Sequence, residues 1–207
     1  MPLGERGMDA LRELFNIGAG NAATSLSQML GGERVSVEVP DVQTVPTTSL
    51  GEQLGKNTRV LCAVGFTISG GFDARLLMVF DERSAARLAC VLLGRPAPED
   101  GDAIVFDAAA RSALDETGNI VASSFVSGLG KLTRRRIMPS VPSSGVAEAA
   151  AVVGQVLKDL GPSADESIVC HTDLQTRGTK IHGHLLLLPE RRSLGEILSA
   201  LGVDPTT

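Results

Sequence analysis

The chain has 207 residues and a formal net charge of −5 at pH 7, and 43% of its residues are hydrophobic although only 3% are aromatic. This size suits one large domain or two small ones, and the acidic balance argues against nucleic acid as a partner. The three cysteines lack the spacing of a zinc ribbon, and no apolar run approaches the roughly 20 residues of a membrane span, so we expect a cytoplasmic protein without a membrane segment.

In chain order, the first half predicts a helix, extended segments, a β-hairpin and a closing helix. Apolar residues at helical spacing predict the first helix over about Met8–Leu30. Alternating and β-branched runs predict strands over Val35–Val39, Val60–Ser69 and Ala74–Phe80, and a second helical pattern covers Ser84–Leu93. A run rich in Gly, Pro and Asp then separates this half from the rest of the chain.

The second half repeats this order of elements. Helices are predicted over Ala109–Leu132 and Ser193–Leu201, and strands over Ser167–Leu174 and Lys180–Leu188. One segment is different. Val146–Leu160 has the apolar spacing of a helix, whereas the first half has a Gly- and Thr-rich segment instead.

The two halves are related by sequence as well as by order. Residues 10–26 laid over residues 113–129 give identities that include Glu13 with Glu116 and Asn16 with Asn119. This offset of 103 residues is too long for a solenoid repeat, so we interpret it as a tandem duplication. We expect a single domain over 1–207, made of homologous halves at about 8–94 and 107–202 that share one α/β core.

The first helix separates an apolar stripe from a polar face. Its predicted buried residues are Leu11, Phe15, Gly18, Ala22, Leu26 and Met29. Asp9, Glu13 and Asn16 cluster on the opposite side, and the second helix places Ser112, Glu116 and Asn119 in the same way. A single Glu-x-x-Asn motif is ordinarily just a solvated surface. Two copies in register, each above small residues where a partner could approach closely, favour a functional site.

Two other sites are considered on the sequence and rejected. Gly18–Ala23 fits a dinucleotide-binding Gly pattern, but no hydrophobic strand precedes it. His182 and His184 alternate on a predicted strand and could bind a metal with His171 or Cys170, yet no further ligand pair is evident. We interpret the histidines as a solvated strand face and expect no metal site.

The spacing of Ser112, Glu116, Asn119 and Pro142 resembles the signature of the CheC/CheX/FliY family of bacterial and archaeal chemotaxis phosphatases, and CheC most closely. That signature is Asp or Ser, three residues, Glu, two residues, Asn, twenty-two residues and Pro. In the first half Asp9, Glu13 and Asn16 match it. There Pro40 comes one residue late and Phe15 stands where the family typically has Gly.

The resemblance implies both a fold and an activity. The fold would be α+β, internally duplicated about a pseudo-two-fold axis, with two long helices packed on a mainly antiparallel sheet. The activity would be hydrolysis of the aspartyl phosphate of a CheY-like response regulator. In this scheme Asn16 and Asn119 orient the attacking water, while Glu13 and Glu116 contact the regulator's lysine.

The resemblance also implies partners and supporting residues. Asp9 and Ser112 would contact the partner, although residues of these types near a helix start could equally be caps. Pro40 and Pro142 would set extended turns near the helices. The chain would need no cofactor of its own, because Mg²⁺ would be supplied by the response regulator. The receptor deamidase CheD is a second expected partner, on the Val146–Leu160 segment unless that helix simply packs on the core.

A non-catalytic alternative remains open at this point. The chain could be a chemotaxis adaptor that binds a response regulator or CheD without turnover. Intact Glu and Asn residues in both halves favour the phosphatase.

Overall fold

The structure is a computed structural model that describes residues 4–55, 60–99, 102–160, 166–190 and 193–203. Its helices are α1 (Glu5–Met29), α2 (Leu50–Gly55), α3 (Glu82–Leu92), α4 (Ala108–Thr133), α5 (Ala149–Leu160) and α6 (Ser193–Ala200). Its strands are β1 (Val35–Pro46), β2 (Val60–Ser69), β3 (Ala74–Asp81), β4 (Met138–Pro139), β5 (Ser143–Glu148), β6 (Glu166–Thr176) and β7 (Thr179–Pro189). The predicted α+β class is confirmed.

The strands form one antiparallel sheet in which the two halves exchange their first strands. The order is β1-β6-β7-β3-β2-β4, with β5 also paired to β2. Thus β1 of the first half pairs with β6 of the second, while β4 and β5 of the second half pair with β2 of the first. Neither half could complete its share of the sheet without the other.

A pseudo-two-fold axis passes through the centre of this sheet. On the antiparallel β3–β7 pair, Leu77 lies opposite Leu186 and Met78 lies opposite Leu185. In this part of the chain the equivalent residues of the two halves are 108 positions apart, so Leu77 is equivalent to Leu185 and Met78 to Leu186. The two pairs are therefore exchanged by a local two-fold axis between the antiparallel strands, and this axis is perpendicular to the sheet. Helices α1 and α4 occupy one face of the sheet on either side of this axis, and they are therefore antiparallel to each other.

One layer of the core lies between the sheet and four helices, α1, α3, α4 and α6. The rings of Phe15 and Phe125 pack together between α1 and α4 with centroids 5.0 Å apart. The predicted stripe of α1 is buried except for Met29, which is 40% exposed because the helix ends there. Leu14, absent from the prediction, is fully buried.

A second core layer covers the opposite face of the sheet and corrects two predictions. Residues 146–148 of the predicted helix belong to β5, and the helix α5 begins only at Ala149. The first half also has a helix here. Leu50 and Leu54 of α2 share this layer with Val153 and Val156 of α5, so the halves differ in the length of the helix and not in its presence.

No helix among the residues that the structure describes is both long enough and apolar enough to span a bilayer.

Candidate functional site

The two Glu–Asn pairs lie on the exposed outer face of the α1–α4 helix pair. Glu13 and Asn16 of α1 and Glu116 and Asn119 of α4 are all exposed. Within the described part of the chain, none of these four side chains makes a hydrogen bond or ion pair. Residues three apart on a helix have neighbouring side chains, so each Glu stands beside its Asn. Both pairs are thus available to an external group.

Asp9 and Ser112 lie on the same exposed faces one turn before the Glu residues. The capping interpretation of these residues is wrong, because α1 begins after Gly4 and α4 after Asp107. Each therefore lies in the second turn of its helix, where backbone N–H groups already have helical partners. Asp9 instead accepts a hydrogen bond of 3.0 Å from Arg12.

The start of α4 is fixed by Asp107. Its Oδ1 accepts a 2.7 Å hydrogen bond from the backbone N–H of Ala110, and its Oδ2 accepts one of 2.8 Å from Arg95. The hydrogen bond from Ala110, followed by the interaction with Arg95, lowers the pKa of the Asp107 carboxyl. The cap therefore stabilises the first turn of the helix that carries Glu116 and Asn119.

The backbone around Asn119 is held tightly against the sheet. Thr117 is fully buried and donates its hydroxyl to the carbonyl of Ala113. A Cβ on Gly118 would lie only 2.7 Å from Cγ1 of Val64 in β2. The absence of a side chain at Gly118 therefore allows α4 to pack closely on β2 directly beneath the exposed Asn119.

At the equivalent position of α1 the residue is Phe15, and its side chain points away from the site. It is 1% exposed and packs on Phe125 in the core. Asn16 nevertheless reaches solvent as Asn119 does. The departure from the family pattern at Phe15 changes the helix packing beneath the first pair and leaves its outer surface clear.

The two prolines occupy breaks in strand pairing. Pro40 lies within β1 where the register with β6 shifts between Glu38 and Asp41, a position where its missing N–H removes no regular sheet hydrogen bond. Pro142 lies between β4 and β5. Both sites fit the expected role of setting extended backbone near a helix.

An open groove of about 520 Å³ runs along the outer face between the two helices. It is lined by Asn119 together with small and polar residues: Asn21, Thr24 and Gln28 of α1, and Ser124, Ser127 and Lys131 of α4. This groove was not predicted as a feature, although the run of small outer residues indicated a surface that a partner could approach.

A smaller cavity of about 240 Å³ lies between α4 and the edge strand β5. Asp115 lines it, and the Oδ1 atom of this carboxyl is buried and has no hydrogen-bond partner among the residues that the structure describes. Cys62 lies at the same cavity, and burial, with a smaller contribution from Asp115, raises the pKa of its thiol to about 11. The thiol is therefore neutral near pH 7 and is not an activated nucleophile.

The histidines lie on β6 and β7, and the interpretation of a solvated strand face holds for exposed His182 but not for His171 and His184, which are half-buried. His171 and His184 are cross-strand neighbours with ring centroids 4.7 Å apart, and His182 contacts Asp173 at 2.6 Å. Burial, followed by the nearby His171, lowers the pKa of His184 to about 4. Among the described residues, no group of three His, Cys, Asp or Glu side chains is placed to hold a metal ion.

Both helices with Glu–Asn pairs lie largely in segments that match the same family model. The model of the CheC-like family matches residues 7–43 and 110–146, and each matched segment contains one Glu–Asn pair. A Bacillus subtilis protein named "CheY-P phosphatase CheC" is 28% identical over 202 residues, which is 97% of this chain and 96% of that protein.

Solved structures share the fold. The crystal structure of Thermotoga maritima FliY superposes with a TM-score of 0.77 at 19% identity, covering 98% of each chain. A crystal structure of the CheX–CheY–BeF3–Mg²⁺ complex from Borrelia burgdorferi matches with a TM-score of 0.50 at 17% identity, covering 86% of this chain and 97% of the matched one.

Proposed function

Because two segments of the chain match the CheC-like family model and nearly its whole length is similar to the Bacillus subtilis CheC protein, we propose that it is a phosphatase that hydrolyses the aspartyl phosphate of a CheY-like response regulator. One observation carries this proposal. Two Glu–Asn pairs with no partner in the described chain lie on one exposed face, each within a segment that the family model matches. The name of the Bacillus subtilis relative and the pairing of CheX with CheY in the Borrelia burgdorferi structure support the same partner.

The chemistry requires little from this chain beyond positioning. An acyl phosphate on a receiver is already reactive and is held by that protein's own groups, so catalysis consists of placing water in line with phosphorus. The water oxygen bonds to phosphorus while the bond to the aspartyl oxygen breaks. The aspartate leaves as a carboxylate, and the protons of the water pass to the phosphate product and solvent.

Asn16 and Asn119 are suited to hold that water. A carboxamide oxygen accepts a hydrogen bond from water and so directs the water's lone pair toward phosphorus. The amide is not basic enough to remove a proton, so its effect depends on orientation. Neither amide has an internal hydrogen-bond partner in the described structure, so each can be used entirely for the bound water and the receiver.

Glu13 and Glu116 would hold the receiver in register. Each carboxylate is exposed one turn before its Asn, where it can meet a lysine ammonium of the receiver's active site. A contact of this kind sets both the association rate and the orientation of the docked partner. Asp9 and Ser112, a further turn away on the same faces, would extend the contact.

We propose no cofactor for this chain itself. The acid and amide side chains of the two pairs suit docking and water binding, and Mg²⁺ would enter the site with the receiver. CheD is retained as a second proposed partner, at the outward face of α5. Ala149, Val153 and Val156 of α5 are buried against the sheet, so a partner there would contact the other side of this helix.

The proposal is tested by mixing the purified chain with a stand-alone CheY-type receiver that has been phosphorylated with a small phosphodonor in the presence of Mg²⁺. Faster loss of phosphate from the receiver, with little action on phosphoserine peptides, is the expected result. Binding of the receiver without faster loss would instead support the non-catalytic adaptor. Equal action on both substrates would contradict a site built to orient water at an acyl phosphate.

A further inference from the structure

The groove between α1 and α4 lies between the two Glu–Asn pairs, and of the four side chains in these pairs its lining includes Asn119. Equivalent residues of α1 and α4 are 103 positions apart, and three such equivalent pairs line the groove. They are Asn21 with Ser124, Thr24 with Ser127, and Gln28 with Lys131. A groove lined by symmetry-related residues lies across the pseudo-two-fold axis. The two Glu–Asn pairs of the described helices therefore lie on opposite sides of this groove.

The spacing of the two pairs follows from where the helices cross. A Cβ on Gly18 would lie 3.1 Å from Phe125, and one on Gly128 would lie 3.3 Å from Ile17. With the helices antiparallel, these contacts bring the equivalent residues Gly20 and Ser123 nearly level at the axis.

Asn16 and Asn119 each lie about four residues from this level, on opposite sides. At a rise of 1.5 Å per residue the two amides are roughly 13 Å apart along the helix axes. The same estimate for Glu13 and Glu116 gives roughly 22 Å.

A receiver is too large to share this surface with a second copy. A compact domain of roughly 120 residues has a radius of gyration near 14 Å and hence a diameter of roughly 35 Å. Two such domains centred between Glu and Asn of each pair would overlap. To avoid this they would have to lean apart and lift off the groove residues that lie between the amides.

We infer that the protein, if it has the proposed function, docks one receiver at a time, and that the two Glu–Asn pairs compete for it across the shared groove. A receiver held by either pair covers the groove and excludes a second receiver from the other. The duplication then allows the receiver to bind this surface in either of two orientations. It does not provide two active sites that work independently.

Competition between the two pairs for one receiver predicts a change in turnover that independent sites would not show. In Asn16→Ala the first pair still captures the receiver through Glu13 but cannot orient water, so it occupies the surface unproductively. Adding Glu13→Lys removes that capture by like-charge repulsion and returns the receiver to the second pair. At saturating receiver, Glu13→Lys/Asn16→Ala should be faster than Asn16→Ala, by about twofold where both pairs capture equally.

The experiment compares turnover of these two variants at saturating phosphorylated receiver. The control is Glu52→Lys in the Asn16→Ala background, because Glu52 is an equally exposed acid on α2, at the opposite face of the sheet. A rise with Glu13→Lys and none with Glu52→Lys supports competition. Equal rates for Asn16→Ala with and without Glu13→Lys would show independent sites and overturn the inference.

Binding stoichiometry provides a test that needs no turnover. The wild-type chain is titrated with receiver activated by beryllofluoride and Mg²⁺, and the mass of the saturated complex is measured by sedimentation. One receiver per chain supports the inference even if the chain proves to be a non-catalytic adaptor. Two receivers per chain would overturn it while leaving the phosphatase proposal intact, and no binding at all would contradict both.

Discussion

Gly118 of α4 lies directly against Val64 of β2, so close that a Cβ at this glycine would be 2.7 Å from Cγ1 and 3.1 Å from Cβ of the valine. Val64 is fully buried and branched at Cβ, so it cannot move aside easily. The contact supports the backbone that carries the neighbouring exposed Asn119. A change in core packing at this contact would therefore also move Asn119 in the proposed site.

Gly118→Ala should therefore destabilise the protein although alanine is the better helix former. Overpacking a core contact of this kind costs about 1–3 kcal/mol, which exceeds the gain of about 1 kcal/mol from helix propensity. Urea unfolding should show a lower midpoint, and turnover should fall because Asn119 is displaced.

The control for that substitution is Gly154→Ala in α5, where the new Cβ would meet nothing within 4 Å. It should keep or slightly raise stability and leave turnover unchanged. Equal stability of Gly118→Ala and wild type would show that α4 and β2 adjust freely and that the contact does not hold the site.

Glu116→Lys should weaken receiver binding without unfolding the chain. Glu116 is exposed and has no partner in the described structure, so its replacement removes no internal contact. Repulsion from the receiver's lysine should raise the dissociation constant about tenfold, or ~1.4 kcal/mol, in a titration at low salt. The Glu52→Lys variant has the same change of charge at a position away from the site, and it should bind the receiver with the wild-type dissociation constant. An unchanged constant for Glu116→Lys would remove this residue from the interface.

The cysteines should differ in reactivity in the folded protein. Burial, with a smaller contribution from Asp41, raises the pKa of Cys170 to about 12, and burial with Asp115 raises that of Cys62 to about 11. Cys90 is only partly buried. Mass spectrometry after brief iodoacetamide treatment at pH 8 should find Cys90 modified first. Rapid modification of Cys62 or Cys170 would contradict their packing.

The same two thiols predict how stability depends on alkaline pH. Their folded pKa values lie above the ordinary 9.0, so the stability that they contribute is fully present below about pH 9. It is lost as the pH rises toward 11, because the unfolded chain can release these protons while the folded chain holds them. Replacing both thiols by alanine should flatten this part of the stability profile.

Asp107→Ala should lower thermal stability because α4 loses the cap on its first turn. Asp107→Asn separates two contributions, since the amide oxygen can still accept from Ala110 while the ion pair with Arg95 is lost. The pKa of Asp107 is lowered, so its contribution is present above the ordinary value of 3.8 and is lost as the pH falls below it. Equal melting temperatures for wild type and Asp107→Ala would contradict the capping role.

Much of this architecture follows from local sequence pattern. Periodicity predicted the long helices to within a few residues, and the opposition of buried Leu11 to exposed Glu13 follows directly from 3.6 residues per turn. The exposure of all six predicted site residues was predictable for the same reason. Their roles in catalysis and partner binding remain predictions.

Long-range pairing was not predictable in this way. The exchange of β1 and β5 between halves depends on contacts between residues that are far apart along the chain, such as Val35 with Thr176 and Val60 with Glu148, which no local pattern encodes. Met29 fits the apolar stripe but is the last residue of α1, where the core no longer covers it. Val146 has helical spacing, yet pairing with β2 extends the chain there. In these places tertiary contacts decide between local alternatives.

The central claim is that Asn119 and Asn16 act on the attacking water and not on docking or packing. Both side chains are exposed and have no partner among the described residues, so truncation to alanine should leave stability and receiver binding nearly unchanged. We expect Asn16→Ala to cost less turnover than Asn119→Ala, because the first half departs from the family pattern at Phe15 and Pro40.

The most direct test measures phosphate loss from saturating phosphorylated receiver with wild type, each single variant and the double variant Asn16→Ala/Asn119→Ala. The double variant should still bind the receiver with nearly the wild-type dissociation constant, while phosphate loss should fall almost to the receiver's own rate. A double variant that keeps most of the wild-type turnover would show that the two amides are ordinary surface residues and would contradict the mechanism.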